Sequence, residues 1–358
     1  MRGIVGVAAA TVVVIIAFSL HAPPIRFADP QLEMAVREAL HIKTRDLRRA
    51  DLLRLVELDA VGGQIARLGG LEHCRNLVWL DLRDNRISDL SPLSGLRKLE
   101  TLVLRSNLVT DITALARLNR LRRLDLDFNF ITDVGPLEEL TQLQWLGLWN
   151  SGIADISPIA KLTELTELGL SGNPIEDFSP VSGLTKLVWL GLPNTGMENL
   201  LPLAGLTNLV KLSLGGNRFA DLSPLAGLEK LEGLGLDSNR IVDVTALAGL
   251  VELQRLSLWG NRIEDISALG RLTKLEQLWL DCNPLRVIDV LSQMPALRII
   301  GLSKTHVNDL SPLLENPGLG EGDAIDLDGT AIDWTGGSNA RRSIEELERR
   351  GATVYGSS

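Results

Sequence analysis

The sequence is poor in the residues that build enzymes and disulfide-stapled proteins. Two cysteines, Cys74 and Cys282, in 358 residues cannot supply a disulfide framework. Four histidines, His21, His41, His73 and His306, lie scattered, and Gly-rich phosphate loops, zinc-ligand spacings and nucleophile elbows are absent. No catalytic residue, cofactor or metal is therefore expected. Positive charge is also short: 36 Lys and Arg against 45 Asp and Glu leave −9, spread along the chain with no basic stripe. Nothing would then release counterions from phosphates, so nucleic acid is set aside as a partner. Charged residues recur throughout everything after residue 25, which excludes a multi-pass membrane protein. Tyr and Phe together number seven, yet Trp alone also numbers seven, so the placement of Trp carries information.

What the chain does have is leucine, 71 residues or one in five, which rules out disorder. The amino terminus is a targeting segment. Met1-Arg2 precedes an apolar run from Ile4 to Leu20, a charged region followed by a hydrophobic one. Ala17-Phe18-Ser19 offers a small-x-small cleavage site, while the run also approaches the ~20 residues that span a bilayer. Residues 1–22 are read as a signal peptide or an uncleaved signal anchor. Either reading exports the rest, to the outside or to the periplasm or cell envelope, with residues 4–20 as the membrane anchor in the second case.

The body is one repeat. Leu77-Val78-Trp79-Leu80-Asp81-Leu82-Arg83-Asp84-Asn85 recurs every 22 residues, without a slip between positions 63 and 305. Its Asn position reads Asn85, Asn107, Asn129, Ser151, Asn173, Thr195, Asn217, Asn239, Asn261, Asn283 and Thr305. The L-x-x-L-x-L stretch alternates with period two, so it predicts a short strand with Leu inward and the intervening residues outward. The chain must then turn, burying backbone groups that only a side chain with donors and an acceptor can satisfy, which predicts a stacked Asn ladder. Ser151, Thr195 and Thr305 keep only a hydroxyl, and weaker bonding is expected there. An Asp column follows (Asp89, Asp111, Asp133, Asp155, Asp177, Asp221, Asp243, Asp265 and Asp309). In Asp-Leu-Ser-Pro-Leu it suits turn and cap residues before a short helical turn better than calcium, which needs six to eight oxygens per site.

From about Leu55 to Ile332 these motifs resemble the leucine-rich repeat family, in its 22-residue class of internalin-like and SDS22-like proteins of the bacterial exported type. The resemblance implies an α/β solenoid: a curved parallel sheet on the concave face, a helical N-terminal cap and a helix-strand C-terminal cap. The expected organisation is 23–54 as N-terminal cap, 55–332 as about 13 coils, and 333–358 as C-terminal cap. Asp29-Pro30 opens a helix with Leu32, Ala35, Val36, Ala39 and Leu40 on one face. A second helix is read over Ser343–Arg350, with a strand at Ala352–Tyr355. Asp328-Gly329-Thr330 stands where the family has Asn-Pro after Asp-Leu, which puts the last turn's geometry in question.

Six of the seven Trp fall on outward strand and strand-exit columns: Trp79, Trp145, Trp149, Trp189, Trp259 and Trp279. Phe128 joins them, and Gly147, Gly169, Gly172 and Gly191 between them predict rings standing over a shallow floor. Single exposed aromatics suit strands and need no function. Several on one face make a patch, and such patches mark interaction sites. Arg83, Arg105 and Arg123, among flanking charges of both signs, would orient a partner. The expectation is a monomeric, non-catalytic module binding a protein ligand through a Trp-rich concave face. The alternatives are an SDS22-like regulatory subunit of a protein phosphatase and a membrane-anchored envelope scaffold.

Overall fold

The computed structural model describes residues 24–356. The apolar segment 4–20, expected as signal peptide or anchor, lies outside them. Among the described residues no helix is long and apolar enough to cross a membrane. The chain divides into two compact units, whose described parts are residues 24–124 and 125–356.

Each unit is a solenoid of the expected class, one three-residue strand per repeat. In the first unit Glu57–Asp59, Trp79–Asp81 and Thr101–Val103 pair in parallel and in chain order. In the second, ten strands from Trp145–Gly147 to Thr353–Tyr355 do the same. Register follows the repeat. Leu256 pairs with Leu234 and Leu278, each 22 positions away. The step from Ile299 to Ala324 absorbs the three-residue insertion without losing the pairing. Inside each coil the apolar columns close over one another: Leu77, Leu80, Leu82, Ile87, Leu90, Leu93, Leu96 and Leu99 are all buried. Truncating any such Leu to Ala typically costs about 2–5 kcal/mol.

The Asn column ties adjacent coils. Asn107 Nδ2 donates to Leu82 O in the preceding coil and to Leu104 O in its own, while its Oδ1 accepts from Ile87 N. Asn85, Asn173, Asn217, Asn261 and Asn283 repeat the pattern. Asn129 bonds Leu126 O. Asn239 donates like the others, but its Oδ1 is buried without a partner. The hydroxyls of Ser151 and Thr305 donate to carbonyls of their own coil, and that of Thr195 bonds Leu192 O of its own coil as well as Asn217 Oδ1.

The residue before the Asn position carries a second rule. Asp84, Ser106, Phe128, Asn150, Asn194, Ser238, Cys282 and Lys304 all take left-handed φ between 49° and 58°, and Gly172, Gly216 and Gly260 take 68–70°. The strand turns off the sheet there. The Asp column then closes the return: Asp89 Oδ1 accepts from Ser91 N at 2.8 Å and its Oδ2 from Ser91 Oγ at 3.0 Å. Asp177, Asp221 and Asp309 do the same. The residue directly before each turn is apolar, Leu90 for example. The Asp therefore sits one place earlier than a cap and forms an Asx turn that launches a 3-10 helix such as Ser91–Leu93.

The first unit opens with the helix Pro30–Ala39. Its N-cap Asp29 accepts from Gln31 N through one oxygen and from Ala66 N through the other, pinning the helix to the first coil. The second unit ends in the helix Asn339–Arg349, which starts four residues before the expected Ser343 and buries Ile344 and Leu347, and the strand Thr353–Tyr355. At the questioned turn Gly329 takes the left-handed place and the Thr330 hydroxyl donates to Leu327 O.

Candidate functional site

The outward columns alternate with the buried leucines, so side chains two residues apart stand on one face of the sheet. In the first unit this face carries Trp79, half-buried on the strand Trp79–Asp81, beside a charged pair. Arg83 Nη2 lies 3.3 Å from Asp81 Oδ2, and Asp81 itself is buried. Arg105 is half-buried and Arg123 exposed.

The second unit holds Phe128, Trp145, Trp149, Trp189, Trp259 and Trp279, in two groups. In the first group the glycines decide where the rings lie. A Cβ on Gly147 would sit 2.6 Å from Trp145 Cη2, one on Gly191 would sit 2.8 Å from Trp189 Cη2, and one on Gly169 would collide with the Trp149 indole nitrogen. The rings lie down on bare backbone instead of standing over it. The expected exposed patch is corrected accordingly: Trp145, Trp149 and Trp189 are half-buried. Trp149 and Trp189 meet with centroids 6.2 Å apart and planes at 31°. Asp127, buried one coil back, accepts from Trp149 N at 2.9 Å. Phe128 stands out beside them, 39% exposed. It holds a φ of 56°, where a bulky L residue costs about 1–2 kcal/mol.

The second group is open. Trp259 is 45% exposed, the most exposed of the tryptophans, and Trp279 stands diagonally across from it. Together with Asp237, Ser257 and Asp281 they line a cavity of ≈ 360 Å³. A neighbouring hollow of ≈ 230 Å³ runs from Trp279 back to Trp189 over Gly233 and Gly235. Sequence reasoning missed Asp237, Asp281 and Tyr355 at this end. The period places both aspartates in the same outward column as Trp259, so the signal was present. It also missed the left-handed column, whose Gly, Asn, Asp and Ser content was its mark.

Of the two thiols, Cys74 precedes its strand and Cys282 stands in the left-handed column of Phe128. Both are free. Cys74 is buried, and burial pushes its thiol up to about 12, so it is inert at neutral pH.

Known proteins with this architecture agree. A family model described as leucine-rich repeats in two copies matches residues 75–117, 141–183 and 251–291. A comparison with curated proteins gives no match. Among solved structures, an internalin, InlF, of Listeria monocytogenes is 31% identical, with a TM-score of 0.75 over 88% of this chain and 99% of that one. A leucine-rich repeat protein of Leptospira interrogans is 24% identical, with a TM-score of 0.72 over 80% of this chain and 74% of that one. The functional domain of InlJ from Listeria monocytogenes, which includes a cysteine ladder, is 22% identical, with a TM-score of 0.62 over 92% of this chain and 79% of that one. The last two share the fold. The match to InlF goes further: the chain belongs to the internalin-like leucine-rich repeat proteins.

Proposed function

We propose that the chain is an exported, non-catalytic module that recognises a protein ligand, on a cell surface or in the envelope, through the aromatic face of its sheet. Leucine-rich repeat proteins of this kind are in general protein-interaction modules. The observation that carries the reading is Phe128. In most other coils its position holds Gly, Asn, Asp or Ser, residues at ease with a left-handed backbone, and beside Cys282 and Lys304 Phe128 is the one aromatic ring in the column. Phe128 bears the strain there and still exposes its ring, beside Trp149. Strain kept without burial is the mark of a group held for contact. Trp145, Trp149 and Trp189 supply rigid, amphipathic area of the type that dominates binding energy at interfaces. The apolar segment 4–20 supports export, and Arg83, Arg105 and Arg123 would bias the approach of a charged partner.

The test is capture of surface and envelope proteins by cross-linking. Wild type, a Phe128→Ser/Trp149→Ser/Trp189→Ser variant and a turn-side Lys186→Ala control are compared at equal folded concentration. Partners held by wild type and by the control but lost by the face variant support the reading. An unchanged set of partners on a folded face variant overturns it.

A further inference from the structure

The open end of the face has its own chemistry. Asp237, Trp259 and Asp281 occupy the same column in three successive coils, two residues before Asn239, Asn261 and Asn283. At ~4.8 Å between strands, a carboxylate lies on either side of the Trp259 indole. With Ser257 and Trp279 these three line the cavity of ≈ 360 Å³.

Both carboxylates are held in place and uncompensated. Asp237 Oδ1 accepts the Ser257 hydroxyl. Asp281 is only 7% exposed, and its Oδ1 accepts from Ser303 N at 2.9 Å and from Ser303 Oγ at 2.7 Å. Its Oδ2 has no hydrogen-bond partner among the described residues and lies over Gly301, where a Cβ would collide with it. Gly301, Asp281 and Asp326 also line the adjoining hollow of ≈ 410 Å³ that reaches Tyr355. Among the described residues no Lys or Arg lies within ion-pair distance of Asp237, Asp281 or Asp326. Arg255, on the strand of Ser257, is exposed and pairs with none of them. A carboxylate so deeply buried carries a desolvation cost that an opposite charge offsets.

We propose that this cavity takes the guanidinium of an arginine side chain presented by the protein partner, stacked on Trp259 and hydrogen-bonded to Asp237 and Asp281. The proposal rests on the reading of the sheet face as a protein-binding surface. A cation is drawn to the negative face of an indole. Guanidinium fits better than ammonium because it is planar, weakly hydrated and forked, so it stacks while its edges donate to carboxylates. A neutral sugar would stack on the same rings and leave the charge of Asp281 uncompensated.

The full chain is titrated with the peptide acetyl-Gly-Arg-Gly-amide and with its citrulline counterpart, which has the same shape and no charge. Indole N–H resonances report the site, those of Trp259 and Trp279 being identified by their loss in Trp259→Leu and Trp279→Leu. The arginine peptide is expected to move these two resonances saturably, and the citrulline peptide to bind at least about tenfold more weakly. Asp237→Asn, whose only bond in the site is to one hydroxyl, is expected to lower affinity for the arginine peptide by a similar factor. Equal response to the two peptides, no response to arginine, or saturation by methyl glucoside in place of the arginine peptide overturns the proposal. The peptide comparison needs no variant, so misfolding cannot mimic its result. Partner loss by the Phe128/Trp149/Trp189 variant is read independently, so protein binding stands or falls apart from the arginine site.

Discussion

The two aromatic groups of the second unit use the same residue type on the same face, with Trp149 and Trp259 in one column, yet they differ in what the indole does. At Trp145, Trp149 and Trp189 glycine lies beneath the ring, and the ring settles onto backbone, half-buried. At Trp259 and Trp279 the neighbours are Ser257, Asp237 and Asp281, and the rings wall a cavity. Residue type alone therefore does not decide whether an outward Trp is floor or wall. What stands beside it does, whether two residues on in the same strand, as Gly147 beside Trp145, or one coil away, as Gly169 beside Trp149. The first group is an apolar platform with Phe128 as its exposed edge; the second is a charged socket.

Four substitutions probe that contrast. The largest effect is expected where the groups share a scaffold. Asn217 lies in a coil between them, donates to Leu192 O and Leu214 O, and accepts from Met197 N. Asn217→Ala leaves these buried groups without partners, at about 1–3 kcal/mol each, and should cost about 3–5 kcal/mol in urea unfolding. A loss near 1 kcal/mol would mean that the ladder does not hold the coils. Next comes the floor itself. Gly169→Ala forces Trp149 off the backbone and should cost about 1–3 kcal/mol. Gly235→Ala, where the nearest atom is 3.5 Å away, should stay within about 0.5 kcal/mol. Equal costs at the two glycines would erase the distinction between floor and wall. The last effect has the opposite sign. Phe128→Gly relieves the left-handed strain and should raise stability by about 1 kcal/mol, measured by thermal unfolding, while it weakens partner capture. A stability gain with capture intact would make Phe128 a passive residue.

Much of the fold could be read because each structural need recurs every 22 residues. Leu80 and Leu82 announce an inward face, and Asn107 announces a buried turn that needs both donors and an acceptor. Asp89 was readable as a turn residue, although it acts one place earlier than a cap. The site was less legible. Gly169 was visible beside Trp149, but a sequence does not tell whether a missing Cβ lets a ring drop or leaves a gap. Phe128 could be assigned to the outward face, whereas its strain belongs to a backbone column recognisable only once φ is known. Asp281 was not singled out in the sequence. Its burial comes from Ser303 one coil on and from the absent side chain of Gly301, contacts that no single repeat contains.

The central claim, that the aromatic face of the sheet is the binding surface, is tested most directly by where a partner cross-links. A photo-activatable phenylalanine analogue is placed at Phe128 in one preparation and at Lys186, on the turn side, in another. Both are exposed to the same envelope and surface proteins, and covalent adducts are weighed. Adducts at position 128 with none at position 186 are the predicted result; adducts at 186 alone, or equally at both, would contradict it.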